Sequence, residues 1–414
     1  MSYRVLHVLD HSWPVLDGYS QRSRSMIAAQ SRNGMEPRIL TGPLHQADDP
    51  NESEISLDGI RYSRTPVSHG VLGRAIHGRW PVLREWAVVR LLRRRIERLL
   101  VDEPFDIIHA HSPALCGLAA LQGVRRRGLP FVYEIRSFWE DSDLDQNKSA
   151  AKLLRYRLGK DLETYVVRRA DAVVSIAQRI LQDLETRGIL PAKLFHVPNG
   201  VDSTRFTFLP RDSTLDAELG IGGIPTLGFL GTLFPWEGIA WLVRAAAELH
   251  RRGSRFKLLI VGDGAEASEV KRAIRECSAE PYVSYLGRVA HDQVERYYSV
   301  MDVLVYPRRS VRIAEFVTPL KPLEAMAQGK AVLGSGVGGL RELIEPEVTG
   351  NLFEPGSIDD FCRQASRLLE QPDLRRTLGE RARQRITADR DWAVLARRYE
   401  NVYEAAIRNA RARR

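Results

Sequence analysis

Three stretches of the chain put residues able to do chemistry at the ends of short apolar runs. In the first, IIHAHSP, a strand-like segment closes on His111. An imidazole at the carboxyl end of a strand in an open α/β sheet stands over the crevice where such sheets bind ligands, so His111 is read as a functional residue rather than a core one. The second stretch, 305–327, reads VYPRRSVRIAEFVTPLKPLEAMA. A strand gives way to a polar loop, Thr318 and Pro319 supply a helix cap and a first-turn proline, and Glu324 falls within the helix that follows. The free amides of that first turn suit a diphosphate, and Lys321 adds a cation. A buried Glu324, with two acceptor oxygens, would grip a ribose diol. Glu315, nine residues upstream, would meet sugar hydroxyls. The third stretch, HSWPVLDGYSQRS, places Gly18 in a turn before a helix beginning near Ser20, where a glycine lets the backbone approach an anion.

Two rival chemistries are set aside on spacing. The run YEIRSFWEDSDLD holds Asp-x-Asp pairs at Asp141, Asp143 and Asp145, a pattern that can hold a divalent metal. Such a site needs a mixed sheet with one nucleotide domain, whereas this chain has two parallel-sheet halves. Arg136, Glu140 and Asp141 are therefore read as polar groups lining the cleft on the acceptor side, with no metal site. VGDGAE and GSGVGGLRE resemble pieces of a dinucleotide fingerprint, but the fingerprint belongs on the first βα turn, and the first turn of the second half, LGTLFPWEG, lacks it. That argues against NAD.

The elements that must position these residues alternate along the whole chain. Strands are expected at 5–9, 38–40, 60–64, 107–111, 131–134, 172–176 and 195–197, then at 226–230, 257–261, 283–286, 303–306, 331–333 and 351–353. Strands separated by helices of this length are βαβ units, so the fold class is α/β, two Rossmann-like domains with parallel sheets. The mixed Pro, Gly and polar segment 206–223 interrupts the alternation. The domains are set at 1–208 and 209–391, with 392–414 a long amphipathic helix bearing Trp392, Leu395, Tyr399 and Tyr403 on one face.

Composition bounds the setting. Hydrophobic residues at 44% and charged residues at 27% make a globular chain, and 414 residues suffice for two cores. Cys116, Cys277 and Cys362 match no metal spacing and leave one unpaired, which fits a reducing compartment. The N-terminus enters a strand pattern directly, with no signal peptide, and no run of about 18 apolar residues occurs. The expected location is cytoplasmic, with any membrane contact peripheral on the inner face. Lys and Arg exceed Asp and Glu by 61 to 52, a net charge of +9. Part of the excess lies in Arg84 to Leu100, with six Arg on a helical apolar pattern, and in the tail Arg408 to Arg414. An anionic membrane surface is a candidate partner there, beside the plainer reading of solvated helix faces. Nucleic acid is not expected, since no nucleic-acid module accompanies the charge.

HSWPVLDGYSQRSRS, IIHAHSP, YEIRSFWEDSD, RRADAVVSIAQRI, VPNGVD, FLGTLFPWEGI, VGDG, the 305–333 run and the closing DWAVLARRYENVY together resemble the retaining glycosyltransferases of family 4, in particular the subgroup found with bacterial exopolysaccharide and exosortase gene clusters. The resemblance runs over essentially the whole chain. It implies the GT-B fold, no metal or resident cofactor, a nucleotide-diphosphate sugar as co-substrate, and a final helix that crosses back onto the first domain. It further implies that Gly18 gives an amide to the donor phosphate, that His111 contacts the donor sugar and that Glu324 binds the ribose. The backbone near Arg288 and Val289 would meet the base. Glu315 stands for the first acid of the family's paired-glutamate motif, here spaced by eight residues with Phe316 where that acid usually falls. The usual phosphate-binding Arg and Lys of the second domain are replaced by Thr232 and Glu237. Lys321 with Arg308 or Arg312 would restore the positive charge beside Thr318 and Leu320.

The expected function is metal-independent, retaining transfer by front-face attack from a nucleotide sugar, UDP favoured, to a saccharide acceptor, lipid-linked, in exopolysaccharide synthesis. Transfer to a soluble acceptor, an NAD-dependent oxidoreductase and a two-lobed sugar-binding protein are the alternatives.

Overall fold

Short β-branched runs such as VLHVL and KLLIV are apolar on both faces, which suits strands covered by helices on either side. In the computed structural model, which describes residues 3–15, 17–45, 54–67, 70–78, 80–124, 127–139 and 150–413, they form two sheets. The first contains β1 (Arg4–Leu9), β2 (Glu36–Thr41), β3 (Glu54–Leu57), β4 (Ile60–Arg64), β5 (Ile107–His111), β6 (Phe131–Ile135), β7 (Ala172–Ser175) and β8 (Leu194–His196), in the order β3-β4-β2-β1-β5-β6-β7-β8. The second contains β9 (Thr226–Leu230), β10 (Lys257–Val261), β11 (Val283–Gly287), β12 (Val303–Tyr306), β13 (Ala331–Ser335) and β14 (Asn351–Phe353), in the order β11-β10-β9-β12-β13-β14. All pairings are parallel except β3 with β4. Both orders reverse direction beside the first strand, between β1 and β5 and between β9 and β12. Those are the switch points at which doubly wound sheets open a crevice beyond the carboxyl ends of their strands.

Every segment expected as a strand is one, with ends within two residues. The strand that sequence reading passed over is β3, an antiparallel edge joined to β4 by Asp58 and Gly59 at φ 53° and 77°. Asp-Gly with positive φ at both positions is the strongest short hairpin signal, and SLDGIRY displays it.

The chain divides into one unit of residues 1–198 and 392–414 and another of 199–391. The boundary set at 208 is therefore ten residues late. The Val201 amide donates to the Arg390 carbonyl at 3.0 Å and Phe206 packs in the second core, so this short segment belongs to the second unit although its composition reads as linker. The helix Trp392–Ala412 packs on the first unit, with Trp392, Leu395, Tyr399 and Tyr403 buried beside Val5, Ile27 and Val174.

The helix Pro81–Asp102 corrects the expected lipid-facing surface. Val88, Leu91, Leu92, Ile96, Leu99 and Leu100 are buried, and the helix packs against helix Ala114–Val124. The stripe that periodicity picks out is core, and a stripe buried in protein is unavailable to lipid.

The turn after β1 is held by charge. His11 bridges Asp10 at 2.9 Å and Asp17 at 2.7 Å, and Asp17 caps helix Gly18–Arg32 by accepting from the Ser20 amide at 2.8 Å. Burial lowers the His11 pKa, but the hydrogen bonds to Asp10 and Asp17 outweigh it and raise it from the ordinary 6.5 to about 9. Because the folded chain holds this proton more tightly, the stabilisation is complete below pH 6.5 and is lost as pH rises through 9. With solvent screening allowed for, it is worth about 1 kcal/mol. The unfolding midpoint of the wild type should fall by about 2–4 °C more than that of His11→Gln across this window. Parallel pH profiles for the two proteins in thermal unfolding would remove the imidazolium from the turn.

Candidate functional site

At the switch point of the first sheet, register brings three imidazoles together. His7 on β1 stands opposite His109 on β5, and His111 stands opposite Glu134 on β6. All four side chains are fully buried. Sequence reading placed His111 over an open cleft; its actual position is inside a closed polar cluster. Arg136 Nη2 donates to His111 Nδ1 at 2.8 Å, and a guanidinium can only donate, so the His111 proton lies on Nε2 and points at His7 Nδ1, 3.1 Å away. Burial and then Arg136 lower the His111 pKa to about 3, so the ring is neutral at physiological pH.

Arg136 is likewise a strut rather than a group lining a cleft. It is buried, donates to Glu134, the Tyr19 carbonyl and Ser23, and stacks on the Tyr19 ring at 4.3 Å. Glu134 also accepts from Arg22 at 3.2 Å and from the Tyr399 hydroxyl at 2.6 Å. Burial alone would raise its pKa, but the Arg22 and Arg136 guanidiniums hold it well below the carboxylate range. Glu140 and Asp141 lie outside the described residues. Gly18 is the exposed first residue of its helix, at an N-terminus whose Ser20 amide already donates to the Asp17 carboxylate.

Among the described residues, His7, His109 and His111 are the grouping able to offer three metal ligands. They do not fit that role. Both nitrogens of His111 are engaged, and two arginines outnumber the single Glu134 carboxylate, so a further dication would meet a positive field.

In the second unit several of the residues expected to act on the donor gather at the switch point between β9 and β12. Arg308 follows β12 and is buried; its Nη1 donates to the Val317 carbonyl at 2.9 Å. Lys321 lies 3.3 Å from Glu237 and donates to the Thr232 carbonyl at 3.1 Å, with its ammonium 4.7 Å above the Phe229 ring. The Thr232 residue is exposed and takes part through this carbonyl. Burial lowers the pKa of both cations, with Glu237 opposing it. Glu324 accepts from the Tyr298 hydroxyl at 3.1 Å, and burial raises its carboxyl pKa. Arg288 is exposed and Val289 half-buried just past β11, two strands from β9.

The helix carrying Glu324 begins later than expected. It spans Lys321–Ala327 with Leu320 at the cap position and Pro322 in the first turn, and no side chain caps it. Thr318 is instead buried two residues before the cap position, its carbonyl accepting from Asn199 Nδ2 at 2.6 Å. Both Pro319 and Pro322 satisfy a first-turn rule, and the sequence pattern does not choose between them. Glu315 accepts from the Ser310 hydroxyl and the Gly338 amide, each at 2.8 Å, and so ties the loop to the GSGVGGLRE turn. Arg312 lies over the Phe316 ring at 4.4 Å. Gly262 of VGDG has a packing role: a Cβ there would fall 1.9 Å from the Gly231 carbonyl oxygen. Glu237, His7, Arg22, Tyr399 and Asn199 are the residues that motif reading left without a role.

This arrangement agrees with what the chain is similar to. Residues 17–200 match the glycosyl transferase 4-like domain and residues 213–385 match glycosyl transferases group 1. The chain is 28% identical over 98% of both lengths to a GDP-mannose-dependent alpha-mannosyltransferase of Mycolicibacterium smegmatis. It is 24% identical to alpha-D-kanosaminyltransferase of Streptomyces kanamyceticus, over 87% of this chain and 92% of that one. Its fold is similar to that of sucrose-phosphate synthase from Thermosynechococcus elongatus, with TM-score 0.76, 20% identity and coverage of 97% and 98%. HepE of Anabaena in complex with UDP-glucose gives 0.74, 20%, 97% and 100%. With a glycosyl transferase 4-like domain and a glycosyl transferases group 1 domain together occupying most of its length on two doubly wound sheets, the chain is a glycosyltransferase of the GT-B fold, which transfers a sugar from a nucleotide sugar.

Proposed function

We propose that the chain is a retaining, metal-independent glycosyltransferase that moves a sugar from a nucleoside-diphosphate donor, UDP first, to a lipid-linked saccharide in bacterial exopolysaccharide synthesis. The observation carrying this reading is the buried Arg308 with the half-buried Lys321 and Glu324 at the second switch point. Breaking the anomeric bond leaves extra charge on the departing diphosphate, and two desolvated cations fixed by backbone carbonyls meet that charge without reorganisation. Glu324 accepts from the ribose hydroxyls. In front-face attack the departing phosphate oxygen takes the acceptor's proton, so no carboxylate nucleophile is required. GDP is the second reading of the base, favoured by the mannosyltransferase relative; HepE, bound to UDP-glucose, favours the first.

The acceptor's membrane is met, in this proposal, by a surface other than the buried stripe of helix Pro81–Asp102. At the start of that helix Trp80 is 74% exposed, Val82 75%, Leu83 53% and Trp86 49%. Helix Ala150–Arg169 adds Leu154 and Leu158, and Arg155 lies 3.4 Å from Glu85, so the two helices present one apolar patch. Arg84, Arg94 and Arg157 are exposed on the same helices. A second copy would set arginine against arginine, whereas an anionic bilayer complements both the apolar and the basic part.

Three measurements check this. Glu324→Ala and Glu324→Gln should each weaken UDP or GDP binding about ten- to a hundredfold, the loss of charge-assisted hydrogen bonds worth about 1.5–3 kcal/mol. Transfer by the wild type should continue in EDTA. Unchanged nucleotide affinity in a folded variant removes Glu324 from the ribose site, and activity that fails in EDTA and returns with Mg²⁺ overturns the metal-independent reading. In sedimentation with vesicles, the protein should bind phosphatidylglycerol-containing bilayers well above pure phosphatidylcholine, and the triple variant Trp80→Ser, Leu83→Ser, Trp86→Ser should lose that binding. Equal binding to both vesicles, or a triple variant that binds like wild type, moves the membrane contact elsewhere.

A further inference from the structure

Glu237 is a buried carboxylate, 4% exposed, set between the two cations proposed to hold the donor's diphosphate. Its Oε1 lies 3.3 Å from Lys321 Nζ and its Oε2 3.8 Å from Arg308 Nε. The second distance is too long for a hydrogen bond, and both Arg308 Nε and Glu237 Oε2 are buried without a hydrogen-bond partner. Leaving a buried charged donor and acceptor unpaired is unfavourable, so a site that tolerates this is held open by the backbone around it.

That backbone is visible. The Arg309 amide donates to the Trp236 carbonyl at 2.9 Å, which locks the Glu237 turn to the Arg308 loop. Gly238 sits at φ 74°, and a Cβ there would come 2.3 Å from the Pro307 carbonyl oxygen, so no other residue allows this approach. Lys321 is tethered separately to the Thr232 carbonyl. Glu237 thus faces the cations because the loops put it there; optimal pairing would have closed the 3.8 Å gap.

We propose that Glu237 is a resident counter-ion that competes with the donor's diphosphate for Lys321 and Arg308. This rests on the reading of that pair as the diphosphate site. With Glu237 in place the triad of Arg308, Lys321 and Glu237 carries a net charge of one; without it, two. Empty, the two cations are compensated and the unit stays folded. Occupied, phosphate oxygens replace the carboxylate at Lys321 and supply the acceptor that Arg308 Nε lacks. The carboxylate then lowers the affinity for the released nucleoside diphosphate, which favours product departure.

The test is the sign of an affinity change, measured by calorimetric titration with inorganic pyrophosphate, UDP and GDP. Glu237→Gln keeps the shape and removes the charge, and should bind pyrophosphate and the accepted nucleotide at least fivefold more tightly than wild type. The gain should disappear in the double variant Glu237→Gln, Lys321→Met. A merely structural glutamate would weaken or leave unchanged both affinities when replaced, and either result in a folded variant overturns the counter-ion role. If the wild type binds UDP or GDP through Glu324 yet Glu237→Gln fails to tighten, this inference alone falls. If neither wild type nor variant binds any of the three anions, the diphosphate site itself falls and takes the inference with it.

Discussion

The first unit is organised by the need to satisfy one buried carboxylate. Glu134 is fully buried, and an ion removed from water costs several kcal/mol unless its lone pairs are met. The groups that meet them come from the helix after β1, from the residue two beyond Glu134, and from the final helix, as Arg22, Arg136 and Tyr399. Around this centre the imidazoles stay neutral and fixed in tautomer, and Tyr403 adds hydrogen-bonding contacts to Gln30 and His109. The helix Trp392–Ala412 is therefore an electrostatic component of the first unit as well as an apolar cover.

The second unit treats charge differently at the equivalent place in its sheet. Its cluster also holds two cations and a carboxylate, but the partners are not closed up: one donor and one acceptor remain unmatched. A complete network rigidifies, whereas an incomplete one is energetically prepared for an added anion. The two clusters share a topological position but differ in closure: one is complete and holds a domain together, and the other, in the function proposed above, is held for a ligand.

How much of this was legible follows from how local each signal is. β5 ends on His111, as periodicity predicts, and the Asp58–Gly59 hairpin was equally readable, though it was passed over for want of a strong alternation in β3. Lys321, Arg308 and Glu324 were legible because one loop and helix carry all three. The Glu134 cluster was not, since its partners are separated by 112 and 265 positions and no short motif encodes them. The arginine-rich helix shows the opposite failure: its periodicity was real, but a stripe facing protein and a stripe facing lipid have the same sequence. The residues that distinguish them, Trp80, Val82, Leu83 and Trp86, lie outside the stripe, at the start of the helix.

The first unit is discontinuous, being interrupted between Pro198 and Trp392 by the whole of the second. On a ribosome adding about 5–20 residues per second, roughly ten to forty seconds pass between completion of β8 and arrival of Tyr399. Throughout that interval Glu134 lacks one of its donors and the surface later covered by Trp392, Leu395 and Tyr403 is bare. The second unit, whose ends at Val201 and Asp391 pair with each other, is under no such delay. Synthesis therefore inverts the order of the chain: the second unit matures first, and the unit begun first waits for the last helix before its packing is complete.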